Sequence, residues 1–266
     1  MQVIILSSAH DVAVYAADRV VDVINTKKNP VLGLATGSTP IALYEELVAR
    51  YHSRQVSFRH TISFNLDEYI GIADSHAQSY RTFMNQHLFN AIDIMPTNTH
   101  VPLAQSKEVA VLKKSAQDYE ASIQQAGGID LQILGIGLNG HIGFNEPTSS
   151  FASRTRIKTL SESTVAANKR FFKAGEYQPE LALTMGIGTI LDTRAVLLMA
   201  TGKAKAEAVK AMIEGPISAM CPASALQLHE AATIVLDEGA ASLLALKEYY
   251  QWCELKRQQL HEGSLI

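Results

Sequence analysis

Val31-Leu32-Gly33-Leu34-Ala35-Thr36-Gly37-Ser38-Thr39-Pro40, followed by the helical period of Ile41 to Tyr51, is the stretch that decides the fold. A short apolar run gives way to a small polar turn, and Pro40 suits the first position of the helix behind it. That is one strand–helix unit of a parallel sheet. The same alternation extends in both directions. Val3 to Leu6 reads as a strand, with a helix through Val12, Ala16 and Val20 to about Ile24. Thr61 to Leu66 is a strand ending at two acids, and helices are expected over Ser79 to Asn90 and Lys107 to Ala126. Leu131 to Leu134, Leu181 to Met185, Val196 to Met199 and Thr233 to Leu236 supply further strands, and a helix from Gly239 to about Gln259 ends the chain. The pattern is α/β with a mostly parallel sheet. No repeat, low-complexity stretch or Pro/Gly-rich linker divides it, so residues 1–266 are expected to form a single domain. A mobile lid is expected around 161–184, where the polar stretch Ser161 to Glu180 lacks a clear strand.

The chain carries 23 basic and 26 acidic residues, a net charge of −3, and is 47% apolar. Disorder is therefore not expected, and no block of Lys and Arg offers a surface for nucleic acid. Cys221 and Cys253 form neither a metal-binding spacing nor a disulfide framework. No signal peptide or run of about 18 apolar residues is present, so a cytoplasmic protein without a membrane partner is expected.

Ligands of open α/β sheets sit beyond the carboxyl ends of strands. Three polar loops lie there. In Thr36-Gly37-Ser38-Thr39, Gly37 lets the backbone approach an anion, two kinds of hydroxyl donate, and the following helix presents free N–H groups. The competing reading is an N-cap by Ser38 or Thr39 with no ligand. In Asn65-Leu66-Asp67-Glu68-Tyr69, adjacent acids on extended chain face opposite ways, so at most one looks into a cleft, where it can act as a base. The bland alternative is a solvated acidic turn. The strongest signal is Gly135-Ile136-Gly137-Leu138-Asn139-Gly140-His141-Ile142-Gly143-Phe144-Asn145-Glu146-Pro147. Its glycines present an imidazole, and Glu146 is placed to pair with it for proton transfer near neutral pH. Gly135, Gly137 and Gly140 also satisfy a dinucleotide fingerprint, but Gly143 and Pro147 speak against the helix which that motif requires. Arg170 and Lys205 are basic positions able to reach a phosphate.

Together, Thr36 to Pro40, Phe64 to Tyr69, Gly140 to Pro147 and Ser153-Arg154-Thr155-Arg156-Ile157-Lys158 resemble the glucosamine-6-phosphate deaminase family, in order over nearly the whole chain. The resemblance implies a three-layer, modified Rossmann-type fold and a hydrolase acting on a C–N bond without cofactor or metal. It implies that glucosamine 6-phosphate and water become fructose 6-phosphate and ammonia, in N-acetylglucosamine catabolism. It also implies roles. Thr36, Gly37, Ser38 and Thr39 would bind the phosphate, with Arg170 and Lys205 closing on it. Asp67 would remove the C2 proton, and His141, with Glu146 and Asn139, would assist ring opening. Several members carry an acid where this chain has Asn139.

In the allosteric branch, N-acetylglucosamine 6-phosphate binds between subunits through positions matching Ser149, Ser150, Arg156 and Lys158. A homo-oligomer is one candidate state. A 6-phosphogluconolactonase-like hydrolase shares the fold and phosphate loop but needs no C2 proton abstraction. A sugar-phosphate sensor of a transcription regulator would need a DNA-binding segment, for which no room is expected.

Overall fold

The computed structural model describes residues 1–168, 172 and 175–261. Ten strands and eight α-helices are described, in the order β1 (Gln2–Leu6), α1 (Ala9–Thr26), β2 (Val31–Leu34), α2 (Ile41–His52), β3 (Ile62–Asn65), β4 (Asp67–Tyr69), α3 (Tyr80–His87), β5 (Thr99–His100), α4 (Val109–Gln125), β6 (Leu131–Leu134), β7 (Arg156–Thr159), α5 (Glu162–Asn168), β8 (Leu181–Thr184), α6 (Ile187–Leu191), β9 (Val196–Ala200), α7 (Ala206–Ile213), β10 (Ala232–Asp237) and α8 (Lys247–His261). Seven strands form one sheet in the order β1-β10-β9-β6-β2-β3-β5, and every pairing in it is parallel.

The sheet is covered on both faces, which is why its strands read as continuous apolar runs. Leu32 and Leu34 of β2 and Ile133 of β6 pack with Val12, Ala16, Leu43, Leu47 and Met84 on the face of α1, α2 and α3. Phe64, Leu134, Leu198 and Ile234 pack with Tyr119, Ile123, Val209 and Met212 on the other. Sheet and helices thus make three layers, as the alternation of elements implies.

At Leu66 the chain changes sheets. The Leu66 N–H still donates to the Leu34 carbonyl at 3.0 Å, while its own carbonyl accepts from Met185 at 2.7 Å. The next residue opens β4, which belongs to a second, antiparallel sheet ordered β4-β8-β7. Asp67 stands opposite Thr184 and Thr184 opposite Arg156 across that sheet.

Several sequence expectations are corrected. Leu181–Thr184 is a strand, as read, but is the middle of the small sheet rather than part of the parallel one. Asp67–Tyr69 and Arg156–Thr159 are strands too polar to be recognised as such. The last helix starts at Lys247, not Gly239. Asp237 takes the Ala240 N–H at 2.7 Å, and the Glu214 carboxylate takes those of Ala245 and Leu246 at 2.9 and 2.8 Å. These acceptors hold residues 239–246 in turns and cap the helix only after them.

Gly186 precedes α6 against the Ser153–Arg154 main chain. A Cβ there would lie 2.0 Å from the Ser153 carbonyl oxygen and 2.5 Å from the Arg154 nitrogen. Backbone cannot rotate aside as a side chain can. Gly186→Ala is expected to cost about 3 kcal/mol, read as a lower urea midpoint at unchanged m-value. A midpoint equal to wild type would contradict this packing.

Candidate active site

One loop, Gly135 to Glu146 behind β6, carries Asn139, His141 and Glu146 and touches Thr39, Asp67 and Lys205. A Cβ at Gly135 would meet Thr39 at 3.7 Å. The Ile136 carbonyl accepts from Lys205 Nζ at 2.6 Å. A Cβ at Gly137 would stand 2.1 to 2.5 Å from the His141 ring atoms, so the imidazole occupies space that any other residue at 137 would fill. A Cβ at Gly143 would meet the Thr184 hydroxyl at 3.1 Å and Asp67 Oδ2 at 3.3 Å. The loop closes on itself through hydrogen bonds from the Gly137 N–H to the His141 carbonyl (2.9 Å) and from the Gly140 N–H to the Gly137 carbonyl (3.0 Å). No helix begins in it, which removes the dinucleotide reading.

Between His141 and Glu146 stands Asn139. Its Oδ1 lies 2.7 Å from His141 Nδ1, and its Nδ2 donates to Glu146 Oε2 at 2.7 Å. Glu146 itself is 3.6 Å from the ring nitrogen. A carboxylate only accepts, so Nδ2 must face Glu146 and Oδ1 the ring. The Asn139 oxygen then places the imidazole proton on Nδ1 and leaves Nε2 with its lone pair. Burial pushes Glu146 up, but hydrogen bonds from Thr164, Asn139 and Ser161, with the neighbouring His141, bring it below the usual range; it is ionised. His141 is lowered chiefly by burial and further by Lys205, against the opposing pull of Glu146. The ring is neutral at pH 7, the form that can accept a proton.

The two acids diverge, as an extended chain requires, and both are buried: Asp67 is 5% exposed and Glu68 2%. A solvated acidic turn is thereby excluded. Among the described residues, no hydrogen bond reaches the Asp67 carboxylate. Burial first, and the charge of Glu68 second, raise it well above the ordinary range. A bare, desolvated carboxylate of this kind is a strong base. Glu68 turns the other way, accepting from the backbone N–H groups of Tyr69 (2.8 Å), Tyr80 (3.0 Å) and Arg81 (3.1 Å).

The Thr36–Thr39 turn is open. Gly37 adopts φ +94°, the left-handed region that favours glycine, with nothing within 4 Å of its missing Cβ. Among the described residues no side chain caps the first turn of α2, so the N-cap reading of Ser38 and Thr39 fails. Tyr44 anchors the start of the turn through its hydroxyl on the Ala35 carbonyl at 2.5 Å. The turn therefore points free N–H groups and hydroxyls outward beside Gly135.

A sequence model of the glucosamine-6-phosphate isomerases/6-phosphogluconolactonase family matches residues 7–235. The chain belongs to this family. It is 86% identical over 265 residues to the glucosamine-6-phosphate deaminase of Marinomonas sp., covering 100% of each. It is 59% identical over 262 residues to that of Colwellia psychrerythraea, covering 98% of this chain and 97% of the relative. A solved monomeric glucosamine-6-phosphate deaminase superposes with a TM-score of 0.88 at 42% identity, over 91% of this chain and 100% of the other. The 6-phosphogluconolactonase from Trypanosoma cruzi, at 22% identity and a TM-score of 0.72 over 92% of this chain and 97% of its own, shares the fold.

Of the residues read from sequence in this family member, Asn139, His141 and Glu146 lie in the one loop, and Thr39, Asp67 and Lys205 border it. Arg170 lies outside the described residues. The four candidate effector residues divide. Arg156 and Lys158, two apart on the edge strand β7, share a face, and burial lowers both. Ser150 is exposed, whereas Ser149 is buried with its hydroxyl donating to the Glu146 carbonyl at 2.7 Å. Sequence reasoning missed Tyr80, which donates to the hydroxyl of Tyr69 on the strand of Asp67 at 3.3 Å, and Thr184 beneath Gly143. Neither sits in a motif; only tertiary contact brings them to the site.

Replacing Asn139 by Asp sets a full negative charge on Nδ1 and favours the imidazolium. Asn139→Asp is expected to raise the pKa of His141 in an NMR titration of the ring nitrogens. An unchanged titration would contradict the contact.

Proposed function

We propose that this chain converts glucosamine 6-phosphate and water to fructose 6-phosphate and ammonia. One observation carries the reading: a single glycine-rich loop brings a neutral imidazole and a bare carboxylate to the open, anion-binding turn, in a chain 86% identical to a glucosamine-6-phosphate deaminase. The phosphate sits on the Thr36–Thr39 turn, with Lys205 and, by family resemblance, Arg170 contributing charge. Anchoring the far end of the sugar positions the reacting carbons.

The closed sugar hides its aldehyde. His141 Nε2 takes the anomeric hydroxyl proton and passes it to the ring oxygen, breaking the ring C–O bond. Asn139 and the ionised Glu146 stabilise the transient imidazolium through Nδ1. In the open chain the carbonyl at C1 acidifies the C2 hydrogen. Asp67 removes it to leave an enolamine, and its return at C1 gives an imine at C2. Water adds to the imine, the C–N bond breaks, and ammonia leaves behind the ketone. General acid–base assistance of this kind contributes about 10²–10⁴-fold at a step. None of these steps calls on a cofactor. The reaction fits cytoplasmic amino-sugar catabolism, with the polar stretch from 161 to 180 as the lid; Leu181–Thr184, paired on both sides in the small sheet, is no part of it. Its start is bonded to the site, since Thr164 and Ser161 donate to Glu146 at 2.5 and 3.1 Å.

Wild type should release ammonia from glucosamine 6-phosphate, and Asp67→Asn should lose about 10²–10⁴-fold in kcat. In deuterium oxide the fructose 6-phosphate formed should carry carbon-bound deuterium. Lactone hydrolysis without ammonia or carbon-bound deuterium would instead establish the phosphogluconolactonase reaction.

The exposed Ser150 and the paired cations Arg156 and Lys158 support a second ligand, N-acetylglucosamine 6-phosphate, in a homo-oligomer. Adding it should shift the substrate saturation curve to lower concentration, and Arg156→Ala together with Lys158→Ala should abolish the shift. A saturation curve indifferent to the ligand would contradict regulation here.

A further inference from the structure

Glu68 is buried and charged, yet the proposed chemistry gives it nothing to do. Its neighbours give it two connections. Through Oε1 and Oε2 it binds the N–H groups of Tyr80 and Arg81, the free donors at the start of α3, where Ser79 already caps Thr82. A carboxylate at a helix N-terminus is held by those donors and by the helix dipole. The tie fixes Tyr80, whose hydroxyl donates to that of Tyr69 of β4 at 3.3 Å. Glu68 thus braces the strand that carries Asp67 against the start of α3.

The second connection is electrostatic. Asp67 and Glu68 are adjacent, both almost wholly withdrawn from water, and no cation pairs with either among the described residues. The nearest basic group on α3, the Arg81 guanidinium, is turned to Thr99 at 2.8 Å. The other groups facing the pair are Asp74, on the segment before α3, and the hydroxyls of Tyr69, Tyr80 and, from α4, Tyr119. From β8 the facing residue is the uncharged Thr184. Among the described residues no cation offsets the repulsion between the two carboxylates; the N–H donors act on Glu68 alone.

We infer that Glu68 is a positioning residue that keeps Asp67 strongly basic, by holding a second negative charge beside it while its hydrogen bonds fix the strand against α3. The inference rests on the role proposed for Asp67. Glu68 is itself pushed up to about 7, by burial against the restraint of its three N–H partners, so the charge beside Asp67 is complete only above that pH. The sign follows. Removing the charge of Glu68 lowers the Asp67 pKa, so a base active when ionised stays active to lower pH.

The test compares pH profiles of kcat/KM for ammonia release from glucosamine 6-phosphate by wild type, Glu68→Gln and Glu68→Asp. Glu68→Gln keeps an oxygen for the Tyr69 and Tyr80 N–H groups, and its acidic limb should move to lower pH, with KM within about threefold of wild type. Glu68→Asp keeps the charge but withdraws it from α3, so its limb should stay near the wild-type position while KM rises. A brace without electrostatic effect would change KM and thermal midpoint in both variants and leave both limbs in place, which would overturn the inference. So would a limb in Glu68→Gln displaced to higher pH. Should Glu68→Gln not fold, a Glu68→Asp limb displaced to lower pH would overturn it equally. Absence of ammonia release by wild type would instead overturn the proposed function, leaving the two failures distinct.

Discussion

The His141 imidazole lies in the space left by the missing side chain of Gly137, and the rest of the site is arranged around that contact. Because the ring is seated against backbone, its Nδ1 is directed to Asn139, and among the described residues its other nitrogen has no hydrogen-bond partner. Two residues further on, the same loop presses Gly143 against Asp67 and Thr184, and at its beginning it meets Thr39 and Lys205. Groups far apart in the chain are brought into one neighbourhood because a backbone nearly bare of side chains can touch them all. A side chain at Gly137 would displace the imidazole, and one at Gly143 would press on Asp67 and Thr184.

Asp67 owes its character to topology. The parallel sheet ends one residue before it, and the antiparallel sheet begins at it. The Asp67 carboxylate at this junction is buried yet, among the described residues, belongs to no hydrogen-bonded network of side chains, so no donor there opposes the effect of burial. Glu146 has the opposite fate. It is also buried, but donors from Asn139, Ser161 and Thr164 surround it and keep it charged. Two acids with similar burial are driven apart in basicity by the donors around them, the condition for dividing the work of a base from that of a charge stabiliser.

The parallel sheet is legible in the sequence because its strands are buried on both faces and read as apolar runs between helical periods. The small sheet is not. Asp67-Glu68-Tyr69 and Arg156-Ile157-Lys158-Thr159 are polar, and they are extended because β8 pairs with both. The start of the last helix is hidden for a related reason: Glu214, remote in sequence, supplies the capping acceptors for Ala245 and Leu246. The loops of the site are legible because glycines, an imidazole and acids at strand ends are rare in company. The His141–Glu146 pairing inferred from spacing is present at 3.6 Å, and Asn139 adds hydrogen bonds to both, since the amide has an acceptor for the ring and a donor for the carboxylate. Tyr80 and Thr184 leave no trace in sequence, because the contacts that bring them to the site, with Tyr69 and with the Gly143 loop, are tertiary.

The most direct measurement is a crystal structure with the open-chain amino-alditol phosphate, the substrate with its aldehyde reduced. The phosphate should lie on the Thr36–Thr39 turn with C2 against the Asp67 carboxylate and the C1 hydroxyl end toward His141 Nε2. A ligand whose carbon chain reaches only one of Asp67 and His141, or whose phosphate lies away from the turn, would contradict the shared site.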